Sequence, residues 1–238
     1  MSKYTNLKDL FKAIANAIRG KEESTGEIIA DDFPERIAAI EAHDAEDSIV
    51  SRTITSYKND RITEVGIGAF FCCRTLENIV LPNVVKIGRS AFEECTLVSV
   101  DLPNVEWIDN NAFISNYVEK LTFKNLSDVG ELAFAQCSKL VYFDMYGGNA
   151  QNNGSIGSAA FSSSVLRTLI IRSESLSENN ECPCWIVDDS LYNTPIESGT
   201  GYIYVPASMV DAYKADEKWS VYANQIRAIE DYPEITGG

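Results

Sequence analysis

Six cysteines and a single histidine are the side chains of this 238-residue chain best suited to nucleophilic or metal chemistry. Any Ser-His-Asp or Cys-His mechanism must use His43, which sits in the acidic stretch Glu41-Ala42-His43-Asp44-Ala45-Glu46-Asp47. A solvated charged hinge is poor ground for a base that has to be held in one orientation. Cys72-Cys73 and Cys182-Pro183-Cys184 are close pairs, but zinc normally takes ligand pairs with two to four residues between them. No metal site is expected from this spacing. The chain has neither a phosphate-cradling Gly-Lys-Ser/Thr loop nor a dinucleotide glycine fingerprint, so no cofactor is expected. Its 35 acidic residues produce many chance carboxylate pairs, whereas a glycosidase needs two carboxyls across a cleft at a defined separation. The expectation is a protein that is not an enzyme.

Charge and hydropathy narrow the partners. With 35 acidic against 20 basic residues the net charge is −15, which repels nucleic-acid phosphates and anionic membrane surfaces. Nucleic acid is therefore not an expected partner. The first twenty residues carry apolar side chains only at helical spacing, with charges between them, so no signal-peptide core is read there. No apolar run has the length of a membrane span, and no membrane insertion is expected. Synthesis and folding in the cytosol follow as expectations, which argues against a disulfide framework.

The elements that would position a site come from an internal repeat. An Ala-Phe pair recurs at Phe70, Phe92, Phe113, Phe134 and Phe161, with spacings of 22, 21, 21 and 27 residues. The long last step contains Gly147-Gly148-Asn149-Ala150-Gln151-Asn152-Asn153-Gly154, which reads as a loop extruded from one coil. Each pair is followed by a spaced apolar set: Leu76/Ile79/Leu81, Leu97/Val100/Leu102, Val118/Leu121/Phe123, Leu140/Phe143/Met145 and Leu166/Leu169/Ile171. The last two members of each set alternate with outward residues, the mark of a strand with one buried face. Such strands bury that face only by stacking coil on coil. The phenylalanines then form an internal ladder, and the small alanines before them let coils approach. Cys73, Cys95 and Cys137 share one column with Asn116 and Ser164, which predicts small buried side chains bonded to backbone. That leaves Cys72, Cys182 and Cys184 without a role. Gly66, Gly88, Gly130 and Gly157, with Asp109 in their column, are expected to turn through a conformation that other residues resist.

These features predict a mainly β protein with short helices, a parallel solenoid of about five coils of 21–22 residues. The Ile-Gly-x-x-Ala-Phe-x-x-Cys pattern over residues 65–171 resembles the BspA-type leucine-rich repeat, which occurs in bacterial surface proteins, protist proteins and phage or prophage structural proteins. The resemblance implies a display scaffold and leaves the ligand open.

Three segments are expected: a helical anchor and acidic hinge at 1–47, the solenoid at 48–181, and an aromatic capping unit at 182–238. In the first, Leu7, Leu10, Phe11, Ile14 and Ile18 form one helical stripe. Asp32-Phe33-Pro34-Glu35 opens a second helix carrying Phe33, Ile37 and Ile40. These eight residues either cap the solenoid or dock on another protein. The run Leu7-Lys8-Asp9-Leu10-Phe11 through Ala17-Ile18-Arg19-Gly20-Lys21, followed by Ile28 to Ile37 with Asp32-Phe33-Pro34, resembles the leader of tail and baseplate proteins from phages and prophages of Gram-positive bacteria. That second resemblance covers residues 4–41 and implies a virion or phage-like particle assembled in the host cytoplasm. It also implies other particle proteins as partners of the anchor and, by analogy with fibres, a homo-oligomer.

Ser51 to Asp60 alternates as a strand and suggests a degenerate first coil. At the other end, Gly201-Tyr202-Ile203-Tyr204-Val205-Pro206 reads as a strand entering a helix. Val210, Tyr213, Trp219, Tyr222 and Ile226 supply apolar mass for a cap. If the apolar strand positions point inward, two outward columns form a candidate binding face. One is Asn78, Ser99, Lys120, Tyr142 and Thr168, and the other Val80, Asp101, Thr122, Asp144 and Ile170. Their mixed polarity suits a host-surface protein or glycan. The expected function is a structural or attachment protein of a phage-like particle, in its tail, baseplate or fibre. The alternatives are a bacterial leucine-rich-repeat adhesin and, more weakly, a polysaccharide-degrading tail enzyme.

Overall fold

The computed structural model describes residues 54–148, 153–174, 176 and 182–236. The expected anchor residues and His43 lie outside them. The described chain winds as a parallel solenoid of about seven turns. A front face carries β1 (Ser56–Lys58), β3 (Asn78–Val80) and β5 (Ser99–Asp101). It continues with β7 (Lys120–Thr122), β9 (Tyr142–Met145), β11 (Thr168–Ile171), β13 (Tyr202–Val205) and β14 (Ile226–Ala228). The back sheet stacks β2 (Glu64–Val65), β4 (Lys86–Ile87), β6 (Trp107–Ile108), β8 (Asp128–Val129), β10 (Gly154–Ile156) and β12 (Cys184–Ile186). Every strand pair is parallel, because each coil runs front strand, turn, back strand, turn in the same sense.

The interior follows the repeat. All five apolar sets are buried except for half-buried Val100, and Val65, Ile87, Ile108, Val129, Ile156 and Ile186 line the inner side of the back sheet. Phe70, Phe92, Phe113, Phe134 and Phe161 form the predicted ladder, stacked at centroid distances of 5.1, 5.2, 5.2 and 5.7 Å. The alanine column carries its backbone register. The N–H groups of Phe70, Phe92, Phe113 and Phe134 donate to the carbonyls of Ala91, Ala112, Ala133 and Ala160 one coil on.

The glycines act otherwise than expected. Gly66, Gly88, Gly130 and Gly157 have no positive φ. Gly88, Gly130 and Gly157 face the preceding coil: a Cβ on Gly88 would lie 2.8 Å from the Val65 carbonyl oxygen, and one on Gly130 2.5 Å from the Asn110 nitrogen, whereas one on Gly66 would meet open space. The requirement is close approach of two backbones. Left-handed residues instead flank each anchor phenylalanine two positions away on either side, as with Ser90 and Glu94 around Phe92 or Leu132 and Gln136 around Phe134. That geometry aims alternate N–H groups at the next coil: those of Ser90, Phe92 and Glu94 meet the carbonyls of Asn110, Ala112 and Ile114. Inter-coil hydrogen bonds thus offset the strain of non-glycine residues in this region.

The first coil begins with β1, where Tyr57 stands opposite Ile79 and packs its ring 4.8 Å from Phe70. The Gly/Asn insertion is pinched at its base by an antiparallel bridge between Gly148 and Asn153. Parallel pairing continues across residue 182, through β10 with β12 and β11 with β13. Ser190-Leu191 there takes the Ala-Phe place, the Ser190 carbonyl accepting from the Phe161 N–H. After β13, a 3₁₀ turn and helix α1 (Val210–Ala215) close the end. Tyr213 and Trp219 are fully buried there, and Trp219 Nε1 donates to the Cys184 carbonyl at 2.7 Å.

Candidate binding surface

The buried cysteines belong to the scaffold. Cys95 and Cys137 thiols donate to the carbonyls of Phe70 and Phe113, one coil back, at 3.1 and 3.2 Å. Asn116 occupies the same column. Its Nδ2 donates to the Phe92 carbonyl at 2.8 Å and its Oδ1 accepts the Leu97 N–H, where the front strands β5 and β7 are unpaired. Burial raises the Cys137 thiol to about 12 and pushes up Cys95 and Cys184 further. Cys182 also rises to about 12, through burial and then Asp216. These thiols stay protonated and are poor nucleophiles. Cys72, half-buried, donates toward Glu94 Oε2 at 3.6 Å, and burial followed by Glu94 raises it too. Among the described residues no three His, Cys, Asp or Glu side chains converge as a metal-binding group.

The strand pairing joins the front columns in two segments, on either side of the unpaired step between β5 and β7: Asn78 beside Ser99 and Val80 beside Asp101 in one, and Lys120, Tyr142 and Thr168 with Thr122, Asp144 and Ile170 in the other. Ser99, Asp101, Lys120 and Thr122 are exposed, and Asn78, Val80, Tyr142 and Thr168 are half-buried. Asp144 and Ile170 correct the expected exposure, for both are buried. Arg172 closes over Asp144, its Nε and Nη2 donating to Oδ1 and Oδ2 at 2.7 Å each. The Tyr142 hydroxyl donates to Oδ2 at 3.2 Å. Burial and then the Asp144 charge raise Tyr142 to about 12.

Beside Ile170 in the same column stands Tyr204, itself buried and packed edge-on against Tyr232. The Arg227 guanidinium lies 3.4 Å from the centroid of the Tyr202 ring and 5.1 Å from that of Tyr232. The C-terminal coils therefore cover the far end of the front face, leaving exposed the outward residues of β1, β5 and β7.

The back sheet presents the larger apolar groups. Its outward column, in register from coil to coil, reads Glu64, Lys86, Trp107, Asp128, Ser155 and Trp185. Trp107 is 50% exposed and Trp185 55% exposed, whereas Trp219 is fully buried. Two of the three tryptophans are thus exposed on one face, three strand steps apart with Asp128 and Ser155 between them. Asp128 holds the strip between them, accepting from Ser127 Oγ at 2.6 Å and Ser155 Oγ at 2.7 Å. Lys86 lies 5.8 Å from the Trp107 ring centroid and 3.7 Å from Glu64 Oε1. Neither tryptophan is singled out by the repeat of the front strands. The signal lay one element further on, as the residue before the apolar position that precedes the glycine column, where Trp107-Ile108 follows Glu64-Val65 and Lys86-Ile87.

The chain is similar in part to solved leucine-rich repeat structures. A leucine-rich repeat protein from Bacteroides ovatus ATCC 8483 shares 27% identity at a TM-score of 0.46, with 66% of this chain aligned to 44% of that one. The chain thus spans less than half the length of that protein. A leucine rich cell surface protein from Faecalibacterium prausnitzii A2-165 aligns with 14% identity and a TM-score of 0.21, over 74% of this chain and 78% of that one. No curated protein matches the chain. The family model described as BspA type leucine rich repeat region matches residues 62–182 in six copies. Since that match covers half of the sequence and coincides with the stacked coils, the chain belongs to the BspA-type leucine-rich repeat family.

Proposed function

We propose that this chain is a non-enzymatic binding module, an adhesin-like interaction unit that holds a partner on the outward columns of its solenoid. One observation carries the reading: coil-to-coil variation is concentrated outside. The inward anchor is phenylalanine in five successive coils, while the back-sheet outward column changes from Glu64 to Lys86, Trp107, Asp128, Ser155 and Trp185. A scaffold with fixed packing positions and free surface positions suits recognition. The partner is a protein or a glycan of a cell surface. The test is retention of the full chain on arrays of glycans and surface proteins, together with a reducing-end assay on host wall polysaccharide. Saturable, reversible retention without released fragments supports a binding module. Release of soluble saccharide makes the protein an enzyme and overturns the reading.

A second reading is favoured by the likeness of residues 4–41 to phage tail and baseplate leaders. In it the module is carried on a phage-like particle through Leu7, Leu10, Phe11, Ile14, Ile18, Phe33, Ile37 and Ile40, as a homo-oligomer. Deleting residues 1–41 then abolishes incorporation into particles while the solenoid melts as before. Unchanged incorporation sinks this reading and leaves the binding module standing.

A further inference from the structure

We propose that the back-sheet strip running from Trp107 through Asp128 and Ser155 to Trp185 is a saccharide track that takes a neutral, extended oligosaccharide. The inference rests on the binding-module reading and names its ligand class. The two indoles sit in one outward column three strand steps apart, about 14 Å at the usual strand spacing. A short extended oligosaccharide bridges that separation. The electron-rich face of an indole packs against the polarised C–H face of a pyranose ring, and both rings are half exposed.

The strip between the rings is polar in the way a sugar needs. The Asp128 carboxylate accepts from two serine hydroxyls, and an ionised carboxylate has about four acceptor sites, so two remain for vicinal sugar hydroxyls. Ser155 Oγ lies beside them as a further acceptor. A protein partner would instead favour a central, continuous apolar anchor with a polar rim. Here the order is reversed, with aromatic ends and a polar centre. Charge selects among glycans: Glu64 and Glu106 are exposed near the strip, Lys86, which lies over the Trp107 ring, is paired with Glu64, and the whole chain carries −15. Uronic acids and phosphate-bearing wall polymers are repelled by such a face.

The test is a tryptophan-fluorescence titration of the full chain with cellohexaose, chitohexaose, mannohexaose and maltohexaose, with oligogalacturonate as the anionic control. At least one neutral hexasaccharide should give a saturable spectral change, and oligogalacturonate none. Trp107→Ala and Trp185→Ala should each weaken the association by roughly tenfold, Asp128→Asn should weaken it measurably, and the melting temperature should stay at the wild-type value because both rings are on the surface. No response to any neutral sugar, or an undiminished affinity in the double alanine variant read by calorimetry, overturns the track.

Discussion

The ring of Phe113 lies flat on that of Phe134, centroids 5.2 Å apart and planes 3° from parallel. Both are fully buried, and each fills the centre of its own coil while forming the floor of the next. Phe113→Ala should therefore destabilise by about 3–5 kcal/mol, because it opens a cavity in the stack between Phe92 and Phe134. Urea unfolding checks this, and a loss below about 1 kcal/mol contradicts a continuous ladder.

Two substitutions separate close approach from backbone strain. Gly130→Ala places a methyl group against the backbone of Asp109 and Asn110, and should cost about 1–3 kcal/mol. Gln136, exposed and at φ 57°, carries the left-handed strain instead. Gln136→Gly should stabilise by about 0.5–1 kcal/mol, the relief of that strain less the added freedom of the unfolded chain. A Gly130→Ala chain that melts as the wild type does contradicts the close approach, and a Gln136→Gly chain that gains nothing contradicts the strain at Gln136.

Asp101 and Asp144 occupy the same outward column, yet only Asp144 is buried and clamped by Arg172. Asp144→Asn should destabilise by about 1–3 kcal/mol, kept below the loss for a fully buried pair because the Arg172 side chain is 40% exposed. Asp101→Asn should stay within about 0.5 kcal/mol of wild type. Equal effects in chemical denaturation would place both residues on the surface.

Alkali should unfold the protein through its buried acids. Cys137 rises from its ordinary value near 9 to about 12, Cys182 does the same, and Tyr142 rises from 10 to about 12. A group with a folded value above its unfolded one stabilises fully below the unfolded value and loses that contribution as pH rises through the folded one. Melting temperature should hold up to about pH 9 and decline from there to about pH 12. Cys137→Ala should make the decline shallower; a flat profile over this window contradicts the burial of these groups.

The solenoid was legible because its signal is repeated. Five Ala-Phe pairs at near-constant spacing average out the noise of any single coil, and Cys95, Asn116 and Cys137 declared their shared column by position alone. The glycine rationale failed because a sequence does not distinguish a backbone turning left-handed from two backbones in contact. Only the placement of Gly88 against Val65 does. Alternation likewise identifies which side of a strand points outward and says nothing about what returns to cover it. Asp144 and Ile170 point outward and are buried by Arg172 and by the column neighbour Tyr204, supplied by later coils. Trp107 and Trp185 carry no such mark in the sequence, because a two- or three-residue strand offers almost no alternation.

The most direct measurement is array binding by the full chain beside two surface variants of unchanged stability, Asp101→Ala with Lys120→Ala on the front and Trp107→Ala with Trp185→Ala on the back. The expected result is a partner retained by the wild type and lost by the back-sheet variant, with both variants melting as the wild type does. Retention undiminished in both, or fragments released from the partner, would contradict recognition by these outward columns.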